Sequence, residues 1–357
     1  MNVVTIVGAR PQFIKAAPVS RALAAAGIHE FLLHTGQHYD RGMSEVFFEE
    51  LGLRAPDLNL SVGSASHAAQ TAAMLVGIEQ KVLEQKPDWV LIYGDTNSTL
   101  AGALAAAKLH VPVAHVEAGL RSFNRRMPEE INRIVADTLS RLLFVPTEAA
   151  RQNLHNEGVP GERIVWTGDV MLDVALMFRD QALTRSKMLE KLGLSDRNYM
   201  LATVHRAENT DDRDRLGTIL SGLQAVGKEL PVVLPVHPRT RKMIEQGGFD
   251  ATGIHLMEPV GFLDMLRLEM GAAVIVTDSG GVQKEAFFHR VPCVTLREET
   301  EWVESVEMGW NRLCPPKDAA ELARAVLEAR GTLGRQAEPY GDGRAAERIG
   351  SALMNRR

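Results

Sequence analysis

The sequence predicts an α/β protein of two Rossmann-like, doubly wound domains facing each other across a cleft. Three observations predict it. Short runs rich in Val, Ile and Leu alternate with helical patterns, as they do where strands are buried on both faces of a parallel sheet. The alternation pauses at VWTGDVMLDVAL (165–176) and then restarts. The chain's 357 residues suit about two domains. One open sheet holding all the expected strands, about ten, would be strained. The expected division is an N-terminal domain over 1–168 and a C-terminal domain over 169–340. A last helix near 341–357 is expected to pack back on the first domain.

The elements follow in order. NVVTIVG is a strand, and PQFIKAAPVSRALAAAG is a helix that Gly27 closes, since glycine accepts the left-handed conformation past a helix end. EFLLHT precedes the helical SEVFFEELG and the long HAAQTAAMLVGIEQKVLEQK. DWVLIYG leads into TNSTLAGALAAAKLH, VAHV into PEEINRIVADTLS, and LLFVP into TEAARQNLHNEG. After the pause, YMLATV, PVVLPV, GIHLM, AAVIVTD and PCVTL form the second strand series.

Composition narrows the function classes. With 45% apolar and 24% charged residues and a formal net charge of −5, the chain is ordinary for a soluble protein. No basic stripe recurs, so a nucleic-acid partner is not expected. No apolar run approaches the length of a membrane span, and MNVVTIVG lacks a basic leader, so a cytoplasmic protein is expected. Cys293 and Cys314 offer neither a disulfide framework nor a CxxC pair.

The chemistry-bearing residues gather where strands end and helices begin, the place where open α/β sheets bind ligands. HVEAGLRSFNRRMPEEINR brings His115 and Glu117 to a strand end. Arg121, Arg125 and Arg126 follow, with Glu129 and Glu130 at a helix N-terminus opened by Pro128. The two glutamates either complement the helix dipole and pair with the arginines, or do chemistry. In GARPQ, Gly8 permits a tight bend, and Arg10 and Lys15 can reach an anion. In YGDTNST, Asp95 is either the helix N-cap or, if Thr96 or Ser98 caps, free to act. TVHRAEN puts His205 at a strand end, where it can protonate a leaving phosphate oxygen, with Arg206 to clamp an anion and Glu208 to orient either residue. His237 in PVHPRT repeats the pattern, with a structural turn equally open there. The strongest phosphate signal is VIVTDSGGVQKEA. Ser279, Gly280 and Gly281 open a helix whose free N–H groups favour a diphosphate, and Glu285 is a candidate for ribose hydroxyls. His34, Gln37 and His38 cluster without metal-ligand spacing, so no metal site is expected. Neither GxGxxG nor a P-loop follows a first strand, which speaks against a tightly held NAD or ATP.

Taken together, GARPQ, GQHYD, YGDTNST, HVEAGLRS, MPEEINR, VHRAEN and DSGGVQKEA resemble the non-hydrolysing UDP-N-acetylglucosamine 2-epimerase family, in order and over nearly the whole chain. The resemblance implies the GT-B type of paired Rossmann-like domains, a UDP-sugar substrate, no cofactor and a homodimer. It implies that Asp95, Glu117, Glu129 and His205 are catalytic. It also implies that Arg10, Ser279, Gly280, Gly281 and Glu285 contact UDP, with Lys15 a weaker match. The implied reaction eliminates UDP to leave 2-acetamidoglucal, reprotonates carbon 2 from the other face and adds UDP back. Two faces call for two acid/base positions.

The segment GQHYDRGMSEVFFEELGL is longer, and RSFNRRMPEE shorter, than in relatives that bind a second substrate molecule as activator, so such activation is not expected. The versions RSF…MPEEINR and TEWVE (300–304) also resemble relatives that epimerise UDP-2,3-diacetamido-glucuronic acid, whose carboxylate Arg125 and Arg126 would suit. A hydrolysing epimerase, a GT-B glycosyltransferase and a catalytically silent UDP-sugar-binding regulator are the competing expectations.

Overall fold

In the computed structural model, which describes residues 1–37, 50–236 and 238–356, the alternation of the sequence becomes two all-parallel sheets in two compact units. One unit spans Met1–Leu176 with Glu338–Arg357, and the other spans Met177–Ala337.

The first sheet contains β1 (Asn2–Val7), β2 (His29–His34), β3 (Leu58–Asn59), β4 (Trp89–Tyr93), β5 (Val113–Val116), β6 (Leu142–Val145) and β7 (Ile164–Trp166). Their spatial order is 3-2-1-4-5-6-7. The second contains β8 (Met200–Thr203), β9 (Val232–Pro235), β10 (Ile254–Met257), β11 (Val274–Thr277), β12 (Cys293–Thr295) and β13 (Asn311–Leu313), ordered 10-9-8-11-12-13. Each order reverses once, between β1 and β4 and between β8 and β11. Those reversals are the topological switch points, where crossovers leave on opposite faces and a crevice opens. The sequence patterns missed β3, β7 and β13. Two or three residues of strand are too few to show a periodicity, and β3 and β7 are only partly buried.

Both faces of the first sheet are covered. Val4, Ile6, Val90 and Ile92 pack against Met74, Ile78 and Val82 of helix His67–Gln85 and the alanines of helix Asn97–Lys108. On the other face, helix Arg10–Ala25 packs against the C-terminal helix Ala345–Met354. Ala26 is the C-cap of the first helix. Gly27 follows at φ +70°, its N–H bonded to Ala24 O, while the Ile28 N–H reaches Leu23 O, a Schellman ending. In the second unit one core layer joins Ile219, Leu223 and Val226 to Leu322 and Val326, and another joins Leu201 and Ile275 to Leu268 and Ala286. Both cysteines are free and buried, and burial pushes the Cys293 thiol up to about 12. No helix among the described residues is long and apolar enough to cross a membrane.

The C-terminal helix is held by a buried carboxylate. Asp173 Oδ1 and Oδ2 accept the Ala345 and Ala346 N–H groups at 3.0 and 2.8 Å. Burial nevertheless pushes its carboxyl from 3.8 up to about 6, and nearby Asp169 adds to this against the backbone bonds. Between those two values the unfolded chain has lost the proton that the folded chain keeps. Stability from this group therefore falls as pH rises from 3.8 to 6 and is flat above. The fall is roughly 3 kcal/mol at about 1.4 kcal/mol per pH unit. Asp173→Asn should remove that slope. Urea unfolding of variant and wild type across the window should show their difference in stability changing by that amount.

Candidate functional site

The carboxyl ends of β1, β4 and β5, beside the first switch point, carry one group of polar residues. The β1 turn needs Gly8 for proximity rather than for an unusual φ. A Cβ there would lie 2.0 Å from Ser98 Oγ and 2.2 Å from Thr35 Oγ1. Gln12 stitches this turn to the next. Its Oε1 accepts the Gly8 and Ala9 N–H groups at 2.8 and 3.1 Å, and its Nε2 donates to Tyr93 O at 2.8 Å and Thr99 Oγ1 at 3.0 Å. Arg10 opens helix Arg10–Ala25, half-buried, and Lys15 lies buried a turn further on.

After β4 the chain turns through Gly94 at φ +61°, and Thr96 takes the N-cap position of helix Asn97–Lys108. Asp95 is therefore not the cap. Its Oδ2 accepts from Arg133 Nη1 at 2.7 Å, and its backbone oxygen accepts from Asn132 at 2.8 Å. Desolvation raises the Asp95 carboxyl against the pull of Arg133 and Lys15, with Glu117 and Glu129 pushing the same way as burial. After β5 comes Glu117, buried and at φ +70°, in an ion pair with Lys15. The pair packs against the Gly94 backbone, where a Cβ would sit 3.3 Å from Glu117 Oε2 and 3.4 Å from Lys15 Nζ. Asp95, Glu117 and Lys15 are thus brought together. Glu129 is exposed on the first turn of helix Pro128–Leu139, near enough for its charge to act on Asp95.

Glu130, its neighbour, has a structural position. It is buried and accepts from the Ser122 and Phe123 N–H groups and from Arg133 Nη2 at 2.9, 3.0 and 2.8 Å. Burial works to raise its carboxyl, but these bonds prevail and hold it below the usual range. Arg133, which the sequence reading passed over, bridges Glu130 to Asp95; its signal was the Glu-to-Arg spacing of three on one helix face. Arg125 and Arg126 are exposed.

In the second unit the ends of β8 and β11 meet at the other switch point. Asp278, fully buried, accepts from the His205 and Arg206 N–H groups at 3.1 and 3.0 Å, from Asn209 Nδ2 at 3.1 Å, and pairs with His205 Nδ1 at 2.9 Å. Burial works to raise its carboxyl, but His205 and these donors outweigh it and hold it below the usual range. An ionised Asp278 only accepts, so His205 Nδ1 donates and the ring is oriented with Nε2 at its far end. The His205 side chain is 56% exposed. Asp278, rather than the exposed Glu208, does the orienting. Arg206 Nε donates to Asp278 O at 3.0 Å.

Ser279 is the N-cap of helix Gly280–Phe288, its Oγ accepting from Val282 N–H at 3.5 Å. The two glycines differ. A Cβ on Gly280 would lie 2.6 Å from Glu301 Oε1, so that side chain would have to shift to admit one. On exposed Gly281 it would meet only Ser279 Oγ at 3.8 Å and Glu285 Oε2 at 3.9 Å, ordinary contacts among the described residues. Behind this turn Arg297, fully buried, faces Glu301 at 3.0 Å, and Lys284 Nζ lies 4.1 Å from the centre of the Trp302 ring. His38 and His237 lie outside the described residues. No group of three or more His, Cys, Asp or Glu suited to a metal occurs among the described residues.

Comparison with known proteins shows the family. Residues 21–354 match the family model described as UDP-N-acetylglucosamine 2-epimerase. The chain is 50% identical to the UDP-2,3-diacetamido-2,3-dideoxy-D-glucuronate 2-epimerase of Pseudomonas aeruginosa, over 99% of each. It is 43% identical to the UDP-N-acetylglucosamine 2-epimerase of Methanocaldococcus jannaschii, over 98% of each. The crystal structure of a UDP-GlcNAc 2-epimerase of that organism, in complex with UDP-GlcNAc and UDP, superposes with a TM-score of 0.93 at 42% identity, covering 99% of this chain and 100% of that one.

Asp278→Ala should strand several buried donors at once and destabilise the protein by about 2–4 kcal/mol. Urea unfolding measures it, and a loss below about 1 kcal/mol would contradict the bonding described.

Proposed function

The chain belongs to the UDP-N-acetylglucosamine 2-epimerase family, and on that premise we propose that it interconverts UDP-N-acetylglucosamine and UDP-N-acetylmannosamine. The observation that carries the proposal is the pairing of unlike carboxylates at one strand edge: Asp95, raised by desolvation, beside Glu117, in an ion pair with Lys15. Two carboxyls in surroundings as different as these can divide into acid and base.

In this reading Glu117 takes the proton from carbon 2 and Asp95 supplies one to the opposite face, with the charge of exposed Glu129 adding to the rise of the Asp95 carboxyl. UDP departs from carbon 1 as the glucal double bond forms, and re-addition reverses the step. His205, held through Nδ1 by Asp278, presents Nε2 to a phosphate oxygen of the leaving UDP. Ser279, Gly280 and Gly281 cradle the diphosphate on free N–H groups, Arg10 and Arg206 add positive charge, and Glu285 takes ribose hydroxyls. Gly281 supports this, since the protein's own packing does not demand glycine there. A cytoplasmic homodimer is part of the same proposal, and light scattering on the purified chain checks the dimer.

A second reading has a specific observation in its favour. The 50% identity to the Pseudomonas aeruginosa enzyme supports a diacetamido-glucuronate substrate, whose extra carboxylate would meet the exposed Arg125 and Arg126.

Incubation with UDP-N-acetylglucosamine in deuterated water, followed by proton NMR, should yield UDP-N-acetylmannosamine carrying deuterium at carbon 2, with only trace UDP. Exchange only with the diacetamido-glucuronate substrate would establish the second reading. No exchange with either would overturn both. Glu117→Gln should lower turnover at least about 100-fold while leaving UDP affinity within a few-fold. Ser279→Ala combined with Gly281→Val should instead raise KM, and an unchanged KM would remove the diphosphate cradle from this turn.

A further inference from the structure

His115 lies on β5 two residues before Glu117, with no exposed surface, and both its ring nitrogens are engaged. Nε2 is 2.7 Å from the Gly94 carbonyl oxygen, and Nδ1 is 2.7 Å from Asp137 Oδ1. A carbonyl oxygen only accepts, so Nε2 donates. Asp137 is 1% exposed; its other oxygen accepts the Gly119 N–H at 3.0 Å and Arg121 Nη1 at 2.7 Å. Arg121 is itself buried and reaches on to Glu157 at 2.7 Å. Burial works to raise the Asp137 carboxyl, yet His115 and Arg121 prevail and hold it below the usual range.

One buried carboxylate therefore governs two turns. Through His115 it holds Gly94 O, the residue before Asp95. Through Oδ2 it holds Gly119 N, two residues after Glu117. Glu117, a residue with a Cβ, is at φ +70°, a conformation that needs holding, whereas Gly94 takes φ +61° without strain. We infer that Asp137 and His115 are positioning residues, a buried hydrogen-bonded pair that fixes the directions in which Asp95 and Glu117 leave their strands. The pair touches no reacting atom, and its effect on turnover rests on the catalytic reading of those two carboxylates.

Two substitutions separate this role from simple packing. The amide of His115→Gln reaches to where Nε2 lies and keeps the bond to Gly94 O. The shorter amide of His115→Asn lies where Nδ1 does and keeps only the bond to Asp137. The asparagine variant should lose about tenfold or more in kcat, with KM within about twofold, and the glutamine variant should recover most of it. Equal kcat in the two variants, at whatever thermal stability, would overturn the proposal, as would a change confined to KM. A readout independent of turnover, and of whether the variants fold, is the nitrogen NMR spectrum of wild-type protein labelled with 15N-histidine. A proton on Nε2 of His115, held toward the Gly94 carbonyl, is expected, and an Nε2 without one would overturn the pair. If wild type exchanged no proton at carbon 2 of either substrate, the proposed function would fail while this spectrum still decided the pair.

Discussion

A parallel strand cannot pair with its neighbour without a crossover, and that constraint organises everything else in this chain. Every strand enters its sheet from one edge, so every turn that precedes a helix emerges at the other. Where the strand order reverses, between β1 and β4 and between β8 and β11, successive crossovers lie on opposite faces and leave the strand ends uncovered. Asp95, Glu117 and Lys15 gather around one such place, and His205, Asp278 and Ser279 around the other. With both faces of each sheet taken up by helices, these edges are where polar side chains can converge without invading a core.

Convergence makes environment the deciding variable, because the side chains are chemically alike. Four carboxylates illustrate it. Glu130, Asp137 and Asp278 are each buried, yet each accepts enough N–H bonds and faces enough positive charge to stay ionised, which makes them fixed acceptors that hold turns and rings in place. Asp95 has an arginine partner as well, but desolvation and two neighbouring acids prevail, and its carboxyl rises. These three buried acids supply geometry, and Asp95 alone among the four has a carboxyl that rises. Removing one partner from such a buried group costs more than its pairing contributes, so these networks resist piecemeal change.

Much of this was legible in the residues. Alternating apolar runs and helical patterns carried the two-sheet α/β class, because burial on both faces leaves a continuous hydrophobic stretch in each strand. The motif blocks carried the family, which the comparisons bear out. The short strands β3, β7 and β13 were not legible, since so few residues show no period. Of the alternatives at Asp95, the cap is excluded because Thr96 takes the N-cap position, and Asp95 is not free either but pairs with Arg133. Gly8 was read as a bend, but its requirement is the approach of Ser98 and Thr35 from elsewhere in the chain.

The sequence by itself determined the fold class and the candidate residue types at strand ends, because period and turn chemistry are local properties. Which acid pairs with which base was decided only by tertiary structure. Asp278 holds a histidine 73 positions earlier in the chain, and Arg133 reaches back 38 positions to Asp95. His115 binds a carbonyl 21 positions before it and a carboxylate 22 positions after it. Charge state follows from burial and from neighbours brought close by folding, and neither is written in the spacing of residues along a chain.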